Sequence, residues 1–135
     1  MNQPQDETAR FAEDIIPKDS QTLSPEEQSA IAALPQNSAL LIAQRGPSSG
    51  SRFLLDQDLT LAGRHPNADI FLDDVTVSRR HVEFLRSNGG FEVRDLGSMN
   101  GTYLNGTRVE GSLLANGDVV QVGKYHLTFF SKGAE

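Results

Sequence analysis

The pattern of hydrophobic and polar positions changes near residue 36 of the chain. Residues 1–23 are rich in Gln, Asp, Glu, Thr and Ser, and their apolar residues follow no sustained period. From residue 38 onward the chain consists of short apolar runs with β-type composition, and in residues 91–95 and 125–129 apolar side chains alternate with polar ones. Such alternation gives a strand one buried and one wet face. The pattern therefore predicts a disordered N-terminal segment followed by a β-rich domain.

Turn residues separate the apolar runs and predict how the strands connect. Asn88-Gly89-Gly90 and Asn105-Gly106 supply the positive-φ residues that tight reversals between antiparallel strands require. No amphipathic segment of helix length interrupts the runs, which argues against the crossover helices of a parallel sheet. About 11 short strands predict an all-β fold, an antiparallel β-sandwich over residues 37–132.

The N-terminal residues 1–36 are predicted to form a flexible acidic tail with a short helix over residues 25–34. Ser24 and Glu27 have the spacing of a capping box, and a proline follows Ser24 at the first helical position. A helix of about ten residues is marginal in water. We therefore expect it to be stable only if apolar side chains such as Leu34 pack on the domain.

Composition and charge narrow the functional classes. The 135 residues have a net charge of −6, and residues 1–35 hold seven acidic and two basic residues, whereas the remainder is nearly neutral. A chain without a clustered basic face is a poor candidate for nucleic-acid binding. The absence of cysteine excludes disulfides and thiolate zinc sites and favours the cytoplasm. No apolar run reaches the roughly 18 residues that span a bilayer, and no signal peptide is evident, so neither a membrane nor export is predicted.

Four loop motifs carry the candidate chemistry. They are Gly63–Ile70, Val77–His81, Asp95–Thr102 and Asn105-Gly106, in this order. Their order and spacing resemble the forkhead-associated (FHA) domain, a phosphothreonine-binding β-sandwich without catalytic activity. The resemblance covers nearly the whole predicted sandwich.

Phosphothreonine carries close to two negative charges and three strong acceptor oxygens, so its site needs guanidinium, hydroxyl and amide donors. By the resemblance, Arg64 anchors the phosphate or the adjoining peptide backbone, and Ser78 and Arg79 contact the phosphate. The side-chain amide of Asn100 bonds the peptide main chain, and Ser98 is a weaker candidate in the same loop. Each residue also has a structural alternative, in which it pins its own loop, caps a turn or occupies a positive-φ position.

Five further residues are assigned to the structural frame that holds the binding loops: Gly63, His81, Gly101, Asn105 and Gly106. We expect His81 to be a buried imidazole that forms hydrogen bonds across loops.

Two other kinds of site receive little support from the sequence. Ser78, His81 and Asp95 follow one another in the order of a hydrolase triad, but no G-x-S-x-G elbow precedes Ser78. The three histidines lie on separate segments, and none belongs to a zinc-binding pattern. The sequence predicts a non-enzyme without a metal or a cofactor.

A closer resemblance comes from residues 56–84, residues 116–130 and the acidic N-terminal extension, which are similar to actinobacterial regulators of the GarA and OdhI type. The resemblance implies that the unphosphorylated protein binds and inhibits a component of the 2-oxoglutarate dehydrogenase complex or a glutamate-metabolising enzyme. It also implies that a Ser/Thr protein kinase phosphorylates the tail, which then binds its own FHA domain and ends the inhibition.

Thr8 is the predicted phosphorylation site, and Phe11 follows it by three residues, at the position that FHA domains read. The family carries two adjacent threonines there, whereas this chain has Thr8-Ala9, and Met99 stands where leucine is usual. The alternative function is a general phosphothreonine adaptor that recruits Ser/Thr kinases or their substrates, without self-inhibition.

Overall fold

The computed structural model describes residues 23–45 and 49–131, which form a β-sandwich with one helix packed on it. The elements in chain order are α1 (Pro25–Ala32), β1 (Ala39–Arg45), β2 (Arg52–Leu55), β3 (Leu59–Gly63), β4 (Ile70–Phe71), β5 (Val82–Ser87), β6 (Gly90–Asp95), β7 (Thr102–Leu104), β8 (Thr107–Val109), β9 (Gly111–Leu113), β10 (Val119–Val122) and β11 (Tyr125–Ser131). The predicted all-β sandwich is thereby confirmed, with eleven strands within the described residues.

Two sheets make up the sandwich. One has six strands in the order β2-β1-β11-β10-β7-β8, and the other has five in the order β4-β3-β5-β6-β9. Neighbouring strands are antiparallel except β3 and β4, which pair in parallel with Ala62 opposite Ile70. This short pair is the exception within the predicted antiparallel sandwich, and it arises because the loop after β3 doubles back before β4 begins.

The core lies between the two sheets and follows from the alternation of the strands. Val82 and Phe84 of β5 are fully buried, whereas the residues between and after them are partly exposed. Phe91 and Phe129 meet edge-to-face across the interface, with ring centroids 6.0 Å apart. The burial of these side chains holds the sheets together and gives the connecting loops a rigid base.

A second apolar cluster lies on the outer face of the six-stranded sheet. Leu40 and Ile42 alternate along β1 with the core residues, so they point to the opposite face, where Leu34 and Phe130 join them. Ile31 packs against this cluster from α1. Thus α1 and Leu34, two residues after the helix end, pack on the sandwich. This packing supplies the stability that so short a helix lacks in isolation.

The N-terminus of α1 has the predicted capping box. The backbone N–H of Glu27 donates to Ser24 Oγ at 3.1 Å, and the N–H of Ser24 donates to Glu27 Oε1 at 3.0 Å. The helix ends at Ala32, two residues earlier than predicted. Within residues 23–45 and 49–131, no helix has the length and apolar character needed to cross a membrane.

Candidate functional site

Three loops meet at one end of the sandwich, because β3 and β6 end there and β5 and β7 begin there. They are the β3–β4 loop (residues 64–69), the β4–β5 loop (residues 72–81) and the β6–β7 loop (residues 96–101), here called the site loops. The β10–β11 turn lies at the same end, since Val122 pairs with Thr102. Every predicted contact residue belongs to one of the three site loops.

Gly63 allows the first two site loops to touch. A Cβ at this position would lie 2.0 Å from the carbonyl oxygen of Arg79, so no side chain fits. Directly beside this contact, the N–H of Arg64 donates to the carbonyl of Ser78 at 2.9 Å. The backbone therefore places Arg64, Ser78 and Arg79 side by side.

His81 connects the second site loop to the third. Its side chain is fully buried, and its Nδ1 accepts a hydrogen bond from the N–H of Ser78 at 3.1 Å. Because Nδ1 accepts, the ring proton lies on Nε2, which donates to the carbonyl of Gly101 at 2.9 Å. The backbone carbonyl of His81 also accepts from the N–H of Leu96. The imidazole lies where the sequence analysis expected it, buried between loops.

Asp95 organises the interior of the β6–β7 loop. Its carboxylate accepts from the hydroxyls of Ser98 and Thr102, at 2.6 and 2.7 Å, and from the N–H groups of Gly97 and Ser98. Burial alone would raise the pKa of Asp95, but these hydrogen bonds together outweigh it and hold the pKa below its usual value.

The hydroxyl of Ser98 is occupied within this loop. It donates to Asp95, accepts from the N–H of Gly101 at 2.9 Å, and belongs to a buried residue. The structure thus gives Ser98 a loop-forming role, and leaves its hydroxyl proton turned away from solvent. Gly101 itself has a φ of 83°, which a residue with a side chain rarely adopts.

Ser78 and Asn100 join the loops while keeping donors available. Ser78 Oγ accepts from the N–H of Met99 at 3.0 Å, so its own proton can point away from the protein. Asn100 donates from Nδ2 to the carbonyl of Thr76 at 3.0 Å, and its φ is not positive. An amide has two N–H protons, so one remains for a ligand.

The cationic side chains at the site are exposed. Arg64 and Arg79 are both solvent-accessible, and neither forms an ion pair within the described part of the chain. Two guanidinium groups, a hydroxyl proton and an amide proton around one surface are the donor set that a phosphate monoester requires.

Asn105 and Gly106 lie away from the site loops, at the opposite end of β7. The N–H of Asn105 donates to the carbonyl of Val119, and the N–H of Val119 donates to Asn105 Oδ1. Asn105 Nδ2 also donates to Asp118 Oδ1 at 3.0 Å. This turn, with positive φ at both residues, fixes β7 against β10 and does not contact the proposed ligand surface.

Thr76 is a site residue that the sequence analysis missed. Its hydroxyl donates to Asp74 and accepts from the N–H of Lys124 at 2.9 Å, which ties the second site loop to the β10–β11 turn. Gly123 is required there, because a Cβ would lie 2.5 Å from Thr76 Oγ1. The Asp74-x-Thr76 spacing, typical of a side-chain-capped turn, was the available signal.

Asp74 lies near Lys124 and Arg64 at the loop end of the sandwich. Hydrogen bonds from the hydroxyl and then from the N–H of Thr76 lower the pKa of Asp74. Burial opposes them, and the charges of Lys124 and Arg64, each with a smaller effect than burial, lower the pKa further. Lys124 and Arg64 are therefore near the same carboxylate.

A groove of about 290 Å³ runs beside the site loops. Its walls come from the second and third site loops, from β7 and β10, and from the β10–β11 turn: Thr76, Asn100, Gly101, Tyr103, Gln121, Gly123 and Lys124. Asn100 is one of the lining residues, so the groove adjoins the amide that offers a free N–H. Nothing in the local sequence around Tyr103 or Gln121 indicated this role.

The geometry does not form a hydrolase triad from Ser78, His81 and Asp95. His81 bonds the backbone N–H of Ser78 rather than its hydroxyl, and its other nitrogen bonds Gly101 rather than Asp95. Among the described residues, no group of three or more His, Asp or Glu side chains could hold a metal ion. Thr8 and Phe11 lie outside the described residues.

Comparison with known proteins identifies the family of this chain. Residues 60–123 match the family model of the FHA domain. The chain is 51% identical over 130 residues to the oxoglutarate dehydrogenase inhibitor of Corynebacterium jeikeium, covering 95% of this chain and 90% of that protein. It is 60% identical over 103 residues to the glycogen accumulation regulator GarA of Mycolicibacterium smegmatis, covering 76% of this chain and just under two thirds, 65%, of that protein.

Solved structures give the same result. A structure described as a structural and functional analysis of phosphothreonine-dependent FHA domain interactions is similar with a TM-score of 0.66 and 31% identity, over 72% of this chain and 99% of the other. The FHA domain of a Chlamydia trachomatis protein has a TM-score of 0.65 and 29% identity, over 71% and 99%. The chain therefore belongs to the FHA-domain family, in the group that includes the actinobacterial oxoglutarate dehydrogenase inhibitors and the GarA regulators.

Proposed function

We propose that this protein is a non-catalytic, phosphothreonine-binding regulator that acts in the cytoplasm. In its unphosphorylated form it binds and inhibits a component of the 2-oxoglutarate dehydrogenase complex or a glutamate-metabolising enzyme. A Ser/Thr protein kinase phosphorylates Thr8, and the phosphorylated tail then occupies its own site and ends the inhibition. The relatives named for oxoglutarate dehydrogenase inhibition support the choice of partner.

The observation that carries the proposal is the set of unused donors at the site loops. Arg64 and Arg79 have no ion-pair partner among the described residues, and Ser78 accepts from Met99 without using its own proton. In the proposed complex these three side chains contact the phosphate, and the free amide proton of Asn100 bonds the peptide main chain. Ser98 contributes indirectly by shaping the loop.

Calorimetry with a phosphothreonine peptide tests the site. A hydrogen bond to a charged group contributes about 1.5–3 kcal/mol, so Ser78→Ala or Arg64→Ala should weaken binding roughly tenfold or more. Ser112→Ala is the matched control, because that serine lies on β9 and its hydroxyl donates to the carbonyl of Leu113 in the same strand. The proposal fails if Ser78→Ala and Arg64→Ala bind the peptide as the parent protein does.

Enzyme inhibition tests the partner separately. Saturating unphosphorylated protein should lower 2-oxoglutarate dehydrogenase activity, and Ser78→Ala should relieve that inhibition because the same loops serve both ligands. Unchanged activity would remove this partner and leave peptide binding intact.

NMR of the full chain tests the switch. Kinase treatment should shift the amide signals of Arg64, Ser78 and Asn100 and release the partner, and Thr8→Ala should abolish both effects without reducing partner binding. If the loop amides do not move after stoichiometric phosphorylation, the protein acts in trans as a general adaptor and does not inhibit itself.

A further inference from the structure

Two cations flank the groove beside the phosphate-binding surface. Lys124 forms part of one wall, from the β10–β11 turn. On the other side, β8 pairs with β7 so that Arg108 lies directly opposite Tyr103, whose side chain also lines the groove. Lys124 and Arg108 therefore stand on opposite sides of the surface formed by β10 and β7.

Arg108 reaches toward the site loops. The position of a Cβ on Gly101 would lie 2.8 Å from Nε and 3.0 Å from Cζ of Arg108, so the guanidinium packs on the backbone of Gly101. Gly101 directly follows Asn100, the residue proposed to hold the peptide main chain. Glycine thus lets an exposed arginine of a neighbouring strand lie against the third site loop.

Neither charge is held in an ion pair within the described part of the chain. The ion pairs there involve Arg86 and Arg94, whereas Arg108 and Lys124 form none. Asp74 lies close enough to Lys124 to interact with it electrostatically, and its carboxylate, which accepts hydrogen bonds from Thr76, stays negatively charged and offsets part of the Lys124 charge. A ligand in the groove would therefore meet positive charge on both sides, with the charge of Arg108 the less compensated.

We propose that Arg108 and Lys124 form a subsite for an acidic side chain of the bound peptide, separate from the phosphate contacts, and this subsite rests on the proposed function. The phosphate already occupies the site-loop cations, so the groove cations are free to attract a carboxylate farther along the peptide. The chain's own tail offers this chemistry, because acidic pairs at residues 6–7 and 13–14 flank Thr8.

The test is a peptide panel measured by calorimetry on the unphosphorylated full chain at low ionic strength, where surface charges are least screened. The reference peptide is residues 2–16 phosphorylated at Thr8. One variant peptide carries D6N and E7Q, and a second carries E13Q and D14N. One of the two should bind roughly two- to fivefold more weakly, the range expected of exposed charge pairs.

Protein variants then test whether Arg108 and Lys124 cause that loss of affinity. In the Arg108→Gln, Lys124→Gln double variant, the difference between the reference and the weakened peptide should disappear, whereas Arg108→Lys should retain most of it. Arg52→Gln is the matched control: it removes one positive charge from β2, at the opposite edge of the same sheet, and should leave the difference unchanged.

The outcomes separate the two proposals. If both amide peptides bind like the reference, or if the double variant discriminates as the parent does, the acidic subsite is overturned while phosphothreonine binding stands. If the phosphorylated reference binds no better than its unphosphorylated form, the proposed function itself fails. In the Thr8-phosphorylated full chain, shifted amides of Arg108 and Lys124 would identify the chain's own tail as the source of the carboxylate, and shifts only on addition of the phosphorylated peptide would show that the subsite takes a carboxylate supplied in trans.

Discussion

Replacing His81 by leucine tests whether one buried side chain aligns the loops of the binding site. The imidazole accepts from the N–H of Ser78 and donates to the carbonyl of Gly101, which belong to different loops. Leucine is similar in size but can do neither. The substitution therefore removes the cross-link while keeping the volume filled.

The cost follows from the two backbone groups left without a partner. An unsatisfied buried polar group costs about 1–3 kcal/mol. The two groups lie at the loop end of the sandwich, where water can reach one of them, so the total should fall near 2–4 kcal/mol by the same range. For a domain of about 100 residues this corresponds to a loss of roughly 10–20 °C in Tm.

Thermal unfolding and peptide calorimetry measure the two expected consequences. The Tm should fall by that amount, and phosphopeptide affinity should fall about tenfold or more, since the loss of even one charge-assisted contact has this effect. His65→Leu is the control, because His65 is partly exposed and accepts one local bond from Asn67. Its cost should be about 1 kcal/mol or less. A His81→Leu protein that matches the parent in both Tm and affinity would refute the reasoning.

Three further predictions concern the fold around the site. Asp95 has a lowered pKa in the folded protein, so its stabilising effect is present above the unfolded value of 3.8 and is lost as the pH falls through the folded one. Asp95→Asn should accordingly lower Tm at neutral pH, with the gap to the parent narrowing as the pH falls below 3.8. Gly63→Ala should cost about 1–3 kcal/mol in denaturant unfolding or displace the site loops, because it forces a Cβ onto a backbone carbonyl, whereas Gly90→Ala, with only a 3.8 Å contact, should be nearly neutral. Leu34→Ala should cost about 2 kcal/mol and speed hydrogen exchange in α1, and unchanged exchange would contradict the packing of the helix on the sheet.

Local signals predicted the strands and the helix start well. The Asn-Gly turns, the alternation in β6 and the capping box at Ser24 each reflect interactions within a few residues, which a sequence displays directly. The parallel pairing of Ile70 with Ala62 was not predictable in this way, because β4 has two residues and its partner is set by the path of a loop. The packing of Leu34 likewise depends on Phe130, nearly a hundred residues away.

The candidate site divides along the same line. Arg64 and Ser78 lie in compact motifs, so the sequence alone could propose them as phosphate contacts from the residues beside them. Lys124 and Arg108 could not be identified, because Lys124 comes from the β10–β11 turn and Arg108 from β8, and they come near the site only when β7, β8 and β10 assemble. Arg86 likewise donates to the carbonyl of Asn37 at 2.9 Å and pairs with Asp58, contacts between residues far apart in the chain that no local motif displays.

The packing of α1 on the sandwich changes the volume that Thr8 can explore. Leu23 packs against the second apolar cluster, so the first described residue anchored on the domain follows Thr8 by 15 residues. Without α1 the first anchored residue would be Ala39, which follows Thr8 by 31 residues. For a flexible tether the effective concentration falls as about the −3/2 power of its length, so shortening the segment from 31 to 15 residues raises that concentration roughly threefold. The local concentration of a phosphorylated Thr8 at the site is higher by that factor when α1 is attached. For the proposed switch, the short helix thus sets how completely the tail competes with an enzyme partner.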